Sequence, residues 1–245
     1  MSPRRKSILI LLAVLAAGGG VTAALALQAR AHDAALLRAD PDALPPDIAA
    51  RARDAGAPLF AAHCAACHGA GGKGDARLGV PNLTDRDWLY GNGQVSEIAQ
   101  TIRYGIRSGH PRARNLADMP AYAHAVPYAR EKLPSLSPGD VQDLVAFLLR
   151  QGGRTAAADA AARGAVIFKT RGGCWDCHGE DARGDNAVGA PNLIDRIWLF
   201  GDGSAGDIFR SIADGHQGVC PDFAPTLSAA EILDVAVYVR SKEGP

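Results

Sequence analysis

The sequence predicts an all-α protein in which two copies of one small domain follow an apolar N-terminal helix. Three observations predict it. A gapless repeat at a spacing of 110 residues relates the two halves of the chain. Apolar residues recur at helical spacing, with negligible strand-type alternation. An uncharged apolar run from Ile8 to Leu27 stands directly behind the basic Ser2-Pro3-Arg4-Arg5-Lys6.

The N-terminal run has the roughly 20 residues needed to cross a hydrocarbon core as a helix. Its basic flank predicts a cytoplasmic stretch over residues 1–7, a transmembrane helix over 8–27, and the rest of the chain on the far side of a bacterial inner membrane, in the periplasm. The rival reading is a cleaved signal peptide with a site near Ala29-Arg30-Ala31, which leaves a soluble periplasmic protein. The run exceeds a typical signal-peptide core, which favours the anchor, whereas Gly18, Gly19 and Gly20 weaken its helix. Residues 28–54, with Pro41, Pro45 and Pro46 and no aromatic residue, read as a mobile linker carrying at most short helical turns. Residues 55–151 and 159–245 then read as domains, joined by a second linker over 152–158.

The repeat carries Gly69, Gly74, Asp75, Gly79, Pro81, Asn82, Leu83, Asp85, Arg86, Trp88, Leu89, Gly91 and Gly93. It returns them at Gly179, Gly184, Asp185, Gly189, Pro191, Asn192, Leu193, Asp195, Arg196, Trp198, Leu199, Gly201 and Gly203. That period exceeds solenoid repeats and is of domain size. Each copy opens with a short helix, Pro58 to Ala62 and then Gly164 to Phe168. Glycine-rich loops follow, and then a middle helix with Ile98/Ile102 or Ile208/Ile212 at i, i+4. A closing helix is announced by Ser137-Pro138-Gly139-Asp140 and by Ser228-Ala229-Ala230-Glu231, both of capping-box form. Its apolar runs, Val141–Leu149 and Ile232–Val239, are expected to pack on the leading helix of the same copy.

Within the repeat stand two Cys-x-x-Cys-His pentapeptides, Cys64-Ala65-Ala66-Cys67-His68 and Cys174-Trp175-Asp176-Cys177-His178. This is the attachment signature of c-type haem: two thiols form thioethers and the histidine supplies an axial ligand. A zinc ribbon sets its cysteine pairs about 15–20 residues apart, and a redox CxxC requires no histidine. Two covalently attached haem c groups are therefore expected, and they supply apolar interior that domains this small lack. Formal net charge is zero, with 26 basic and 26 acidic residues, and nothing suggests nucleic acid binding.

Both domains resemble class I cytochrome c, and more closely the dihaem cytochrome c subunit of cbb-type haem-copper oxidases, the CcoP/FixP type. The resemblance spans residues 55–245. It is carried by Phe60 to Gly69, Pro81-Asn82-Leu83-Thr84-Asp85, Trp88-Leu89-Tyr90-Gly91, Gly105-Ile106-Arg107-Ser108-Gly109 and Met119-Pro120-Ala121-Tyr122. In the second half, Gly189 to Leu193, Trp198-Leu199-Phe200-Gly201 and Val235 to Val239 carry it. It implies Met119 as the sixth ligand of the first haem, opposite His68. It further implies that the Pro81 and Pro191 carbonyls orient His68 and His178. Trp88 and Trp198 are candidates to line the haems or simply to pack the core, and Arg86, Arg196, Arg103 and Arg107 are candidates to neutralise propionates.

The second half departs from the family at the sixth ligand. Aligning Gly105 with Gly215 and Pro120 with Pro221 sets Cys220 opposite Met119, hence over His178. Three readings stay open: thiolate ligation by Cys220, which lowers the potential, ligation by His216, or an iron with no protein ligand on that side. Gly105 to Met119 spans fourteen positions and Gly215 to Cys220 only five, and the first half also carries Pro127 to Lys132. Basic residues in those longer segments suit an acidic partner.

Together with the apolar N-terminal run, the resemblance implies a membrane-anchored electron carrier or the electron-entry subunit of a terminal oxidase, with no catalytic residues of its own. Its partners would be a terminal oxidase, a quinol–cytochrome c reductase or a dehydrogenase. Alternatives are a dihaem oxidoreductase, which the mixed ligand set resembles in thiosulfate dehydrogenases but with the haem order reversed, and a haem redox sensor.

Overall fold

The computed structural model describes residues 3–123 and 135–244, with side chains from residue 18 onward. In chain order the helices are α1 (Pro3–Arg38), α2 (Pro46–His63), α3 (Ala65–His68), α4 (Val95–Tyr104), α5 (Pro138–Gln151), α6 (Ala158–Lys169), α7 (Trp175–His178), α8 (Ala205–Asp214) and α9 (Ala229–Arg240), with a 3-10 turn at Pro41–Ala43. Among the described residues extended pairing is limited to isolated bridges. Both capping boxes form: Ser137 and Ser228 accept from the backbone N–H of Asp140 and Glu231, and each acid reaches back.

The two repeats exchange their closing helices. α2 and α4, from the first copy, pack on α9 from the second, whereas α5 packs on α6 and α8. The sequence expectation that each closing helix packs on its own leading helix is therefore corrected. The physical reason lies in the link between α5 and α6: residues 152–157 are too few to do anything but turn the chain back. Consecutive helices joined so closely become an antiparallel pair. The closing helices carry interchangeable apolar faces, so nothing in their pattern names a partner.

The exchanged contacts are close. A Cβ on Gly56 of α2 would lie 2.1 Å from the Asp234 carbonyl oxygen of α9, and one on Gly164 of α6 would lie 2.0 Å from that of Asp143 on α5. Only glycine lets these backbones meet. One turn further on, Phe60 packs against Tyr238 with ring centroids 5.3 Å apart, and Phe168 against Phe147 at 5.2 Å. Two cores result, one around Phe60, Ile98, Ile232 and Val235, the other around Leu144, Phe147, Phe168 and Ile208.

The stretch expected as a mobile linker over 28–54 instead belongs to the first body. Leu36 and Ala52 are fully buried against Val237. His32 Nε2 lies 2.9 Å from Oδ1 of the buried Asp234, and Asp42 accepts from the Ser96 N–H and hydroxyl at 2.9 and 2.6 Å. Leu36, Leu44 and Ile48 were the overlooked apolar signal. Among the described residues no helix is long and apolar enough to cross a membrane. The first half of the expected span over 8–27 falls where side chains are not described, and Pro127 to Lys132 lie outside the described residues.

The two bodies meet in a near-twofold arrangement. The Tyr90 ring covers Gly189, where a Cβ would lie 2.2 Å from its Cζ, and the Phe200 ring covers Gly79 in the same way at 2.0 Å. Asn186 brackets Gly91, accepting its N–H at 3.1 Å and donating Nδ2–H to its carbonyl at 2.7 Å.

Candidate haem-binding sites

Each CxxCH forms a single helical turn, α3 or α7, at the end of a leading helix, which aims its histidine inward. His68 Nδ1 lies 3.2 Å from the Pro81 carbonyl oxygen and His178 Nδ1 lies 3.0 Å from that of Pro191. A carbonyl only accepts, so each Nδ1 carries the proton and each Nε2 keeps its lone pair for a metal. Burial lowers both histidine pKa values, the carbonyl contact opposing it, and the rings stay neutral as ligation requires. Burial pushes the Cys64 and Cys174 thiols up to about 11. That is opposite to the lowered thiol pKa of a redox CxxC.

The distal residues are exchanged together with the closing helices. Met119 lines the pocket of His178, together with Cys174, Leu144, Phe168, Trp198 and Ile208. Cys220 stands near Cys64 and Cys67 instead, and burial, reinforced by these two thiols, pushes its own thiol up to about 11. The pairing drawn from sequence, Met119 over His68 and Cys220 over His178, is thus reversed in space. Two bridges fix the reversal. Met119 and His216 exchange backbone hydrogen bonds at 3.2 and 3.0 Å, and Ile106 and Cys220 do so at 2.9 and 3.0 Å. Gly105 and Gly215 precede the bridging residues with φ of +74° and +65°. A Cβ there would lie 2.5 Å from the carbonyl oxygen of Cys220 or of Met119. Tyr122 follows Met119 across, and its hydroxyl donates to the Gly172 carbonyl beside Cys174.

These close approaches give a prediction. Gly215→Ala forces a side chain into the Met119 carbonyl at φ +65° and ψ 177°, a region that is essentially glycine's alone, at a conformational cost of about 1–3 kcal/mol before the clash is counted. The expected result is loss of the methionine-to-iron charge-transfer band in the oxidised protein, with the other haem's spectrum retained. An unchanged band would show that the bridge does not position Met119.

The other candidates are placed as follows. His216, weighed as a ligand of the second haem, does line that pocket. Its ring stacks on Phe200 at 3.4 Å, and its Nε2 lies 2.9 Å from Ser211 Oγ. Trp88 donates its indole N–H to Glu243 Oε2 at 3.3 Å, and Arg86 lies 3.5 Å from Glu243 Oε1. Trp198 carries the Arg154 guanidinium 5.5 Å from its ring centroid. Arg107 clamps the crossing strands, donating to the Gly218 carbonyl at 2.6 Å and the Ala117 carbonyl at 2.9 Å. Pro81, Pro191, Trp198 and Arg196 line one cleft between the bodies.

The residues present fit haem. The His178 pocket opens between Met119, Trp198, Ile208 and His216. Its walls are apolar, with a neutral imidazole and a thioether among them. When bound, haem supplies a one-electron Fe(III)/Fe(II) couple, and the protein's part is to hold the group and tune it. This fold and these two sites define a tandem c-type cytochrome with two haem c groups.

Comparison with known proteins carries the assignment further. The family model for cytochrome c matches residues 54–151. That for the cbb3-type cytochrome c oxidase subunit III matches residues 159–239. The chain carries two tandem cytochrome c domains, the second matching the cbb3-type model. The cbb3-type oxidase subunit FixP of Bradyrhizobium sp. (strain ORS 278) is 40% identical over 200 residues, covering 81% of this chain and 64% of that one. The subunit CcoP of Rhodobacter capsulatus is 39% identical over 207 residues, covering 81% and 65%. The chain thus spans somewhat less than two thirds of these relatives' length. A Kuenenia stuttgartiensis reducing HAO-like protein complex aligns over 78% of this chain and 96% of that chain, at 20% identity and a TM-score of 0.21.

Proposed function

We propose that the chain relays single electrons between two haems of unequal potential, as the electron-entry part of a cbb3-type terminal oxidase or as a carrier feeding one. The observation that carries this reading is the shared cleft: Pro81 and Pro191, each accepting from the ligand histidine of one site, face the same space between the bodies. This shared cleft supports direct electron exchange between haems that His68 and His178 would hold. Cys64, Cys67, His68 and Cys220 would hold the first haem. Cys174, Cys177, His178 and Met119 would hold the second. Thiolate ligation stabilises ferric iron and thioether ligation ferrous iron, so electrons enter at the first haem and rest on the second. The basic N-terminus and the apolar run over 8–27 support a membrane anchor with the haem bodies in the periplasm.

The crossed ligands also favour a second reading. They put the cysteine-ligated haem first in the chain, which removes the difference in haem order from thiosulfate dehydrogenases. One stopped-flow series separates the two. Rapid oxidation of the reduced protein by membranes containing cbb3 oxidase, with no turnover of thiosulfate, is the expected result. Catalytic reduction of the haems by thiosulfate would overturn the relay in favour of the enzyme.

A further inference from the structure

The chain gives its two equivalent tryptophans different charged neighbours. Trp88 donates its indole N–H to the carboxylate of Glu243, beyond α9. Trp198, its partner in the repeat, has the guanidinium of Arg154 over its ring instead. Arg154 lies in the short link between α5 and α6. Its backbone N–H donates to the Leu149 carbonyl at 2.8 Å, and its Nη1 donates to the Gly203 carbonyl. Its Nη2 is shut off from solvent and has no hydrogen-bond partner among the described residues.

A buried donor on a permanently charged group is costly and calls for an acceptor. Arginine cannot escape by losing its proton. The best match to the open half of a guanidinium fork is a carboxylate, bound by two parallel N–H···O bonds. The ring beneath Arg154 is a wall of the pocket shared by His178 and Met119. Haem brings two propionates to such a pocket.

We propose that Arg154 anchors a propionate of the haem held by His178 and Met119. Glu243, itself paired with Arg86 and Arg240, takes the corresponding place beside Trp88. A fixed positive charge disfavours ferric iron, which carries one more positive charge than ferrous, and a fixed negative charge favours it. Arg154 therefore raises the potential of the second haem, in the same direction as a thioether ligand does. This rests on the reading that His178 and Met119 share a haem, which the methionine charge-transfer band of the wild-type protein tests separately.

The experiment uses the full-length dihaem protein, with spectroelectrochemical titration of each haem and resonance Raman spectra of the propionate-bending region. In Arg154→Gln the methionine-ligated haem becomes easier to oxidise, its oxidised-to-reduced ratio at fixed potential rising about tenfold, or about 59 mV for one electron. One propionate band shifts, and the other haem's midpoint stays in place. Arg154→Lys restores the midpoint but not the band, because an ammonium keeps the charge and loses the fork. An unmoved propionate band, or equal shifts at both haems, overturns the proposal. Should Arg154→Gln fail to retain its second haem, the band in Arg154→Lys decides alone, and an unshifted band there overturns it.

Discussion

Replacing Cys220 by alanine is expected to abolish a low-spin thiolate EPR signal in the oxidised protein and to raise the midpoint of one haem. The size of the rise should be a sizeable part of the roughly 0.8 V over which axial ligands move haem potentials. The reason is charge. An anionic sulfur bound to ferric iron cancels part of the positive charge that reduction would otherwise remove, and alanine takes that anion away. Without iron the Cys220 thiol is pushed up to about 11 by burial, so at neutral pH it is a protonated, unreactive group. Coordination displaces that proton outright. The haem affected is decided by geometry: Cys220 neighbours Cys64 and Cys67. A Cys174→Ala/Cys177→Ala protein, which retains only the first haem, should therefore keep the thiolate signal and lose the methionine band. The reciprocal Cys64→Ala/Cys67→Ala protein should do the reverse. An EPR spectrum unchanged in Cys220→Ala would sink thiolate ligation altogether. A thiolate signal lost from the first-haem-only protein would sink the crossed pairing.

The proximal half of each candidate site could be read in the sequence, but the way the two halves come together could not. CxxCH is a contiguous signal, and the Pro-Asn-Leu segment follows it at a fixed interval, so the proximal half of each site is local. His68 and Pro81, and His178 and Pro191, come together at the predicted distance in the chain. The distal half is held by non-local contacts. Leu144 and Val235 occupy equivalent turns of α5 and α9 and present the same apolar chemistry, so helical periodicity fits either arrangement. What separates them is the reach of the chain: the link over 152–157 turns α5 back on α6, and Gly105 and Gly215 lead into strand crossings. Arg154 escaped notice for the same reason. In the sequence it is one polar residue in a glycine-bearing link, and only the fold sets it over Trp198. The prolines of the segment over 28–54 read as a linker, yet the spacing of Leu36, Leu44 and Ile48 packs it against the first body.

The exchange has a consequence for stability that an unexchanged tandem would not share. Phe147 belongs to the first repeat by sequence, yet its ring packs on Phe168 of the second, beside the close crossing at Gly164. It is buried in the core that also supports the His178 pocket. Phe147→Ala is expected to cost about 3–5 kcal/mol, the usual range for deleting a buried ring. The damage should fall on the second haem: weakened methionine ligation, faster loss of its low-spin spectrum on heating, and a thiolate-haem signal that persists to higher temperature. Tyr238→Ala is the mirror experiment. That ring packs on Phe60, so the first haem should fail first although Tyr238 lies in the second repeat. The order of spectral loss in thermal melts of the two variants checks both. If Phe147→Ala disturbs the thiolate haem first and Tyr238→Ala the methionine haem, each closing helix serves its own repeat, and the shared architecture of the two sites is wrong.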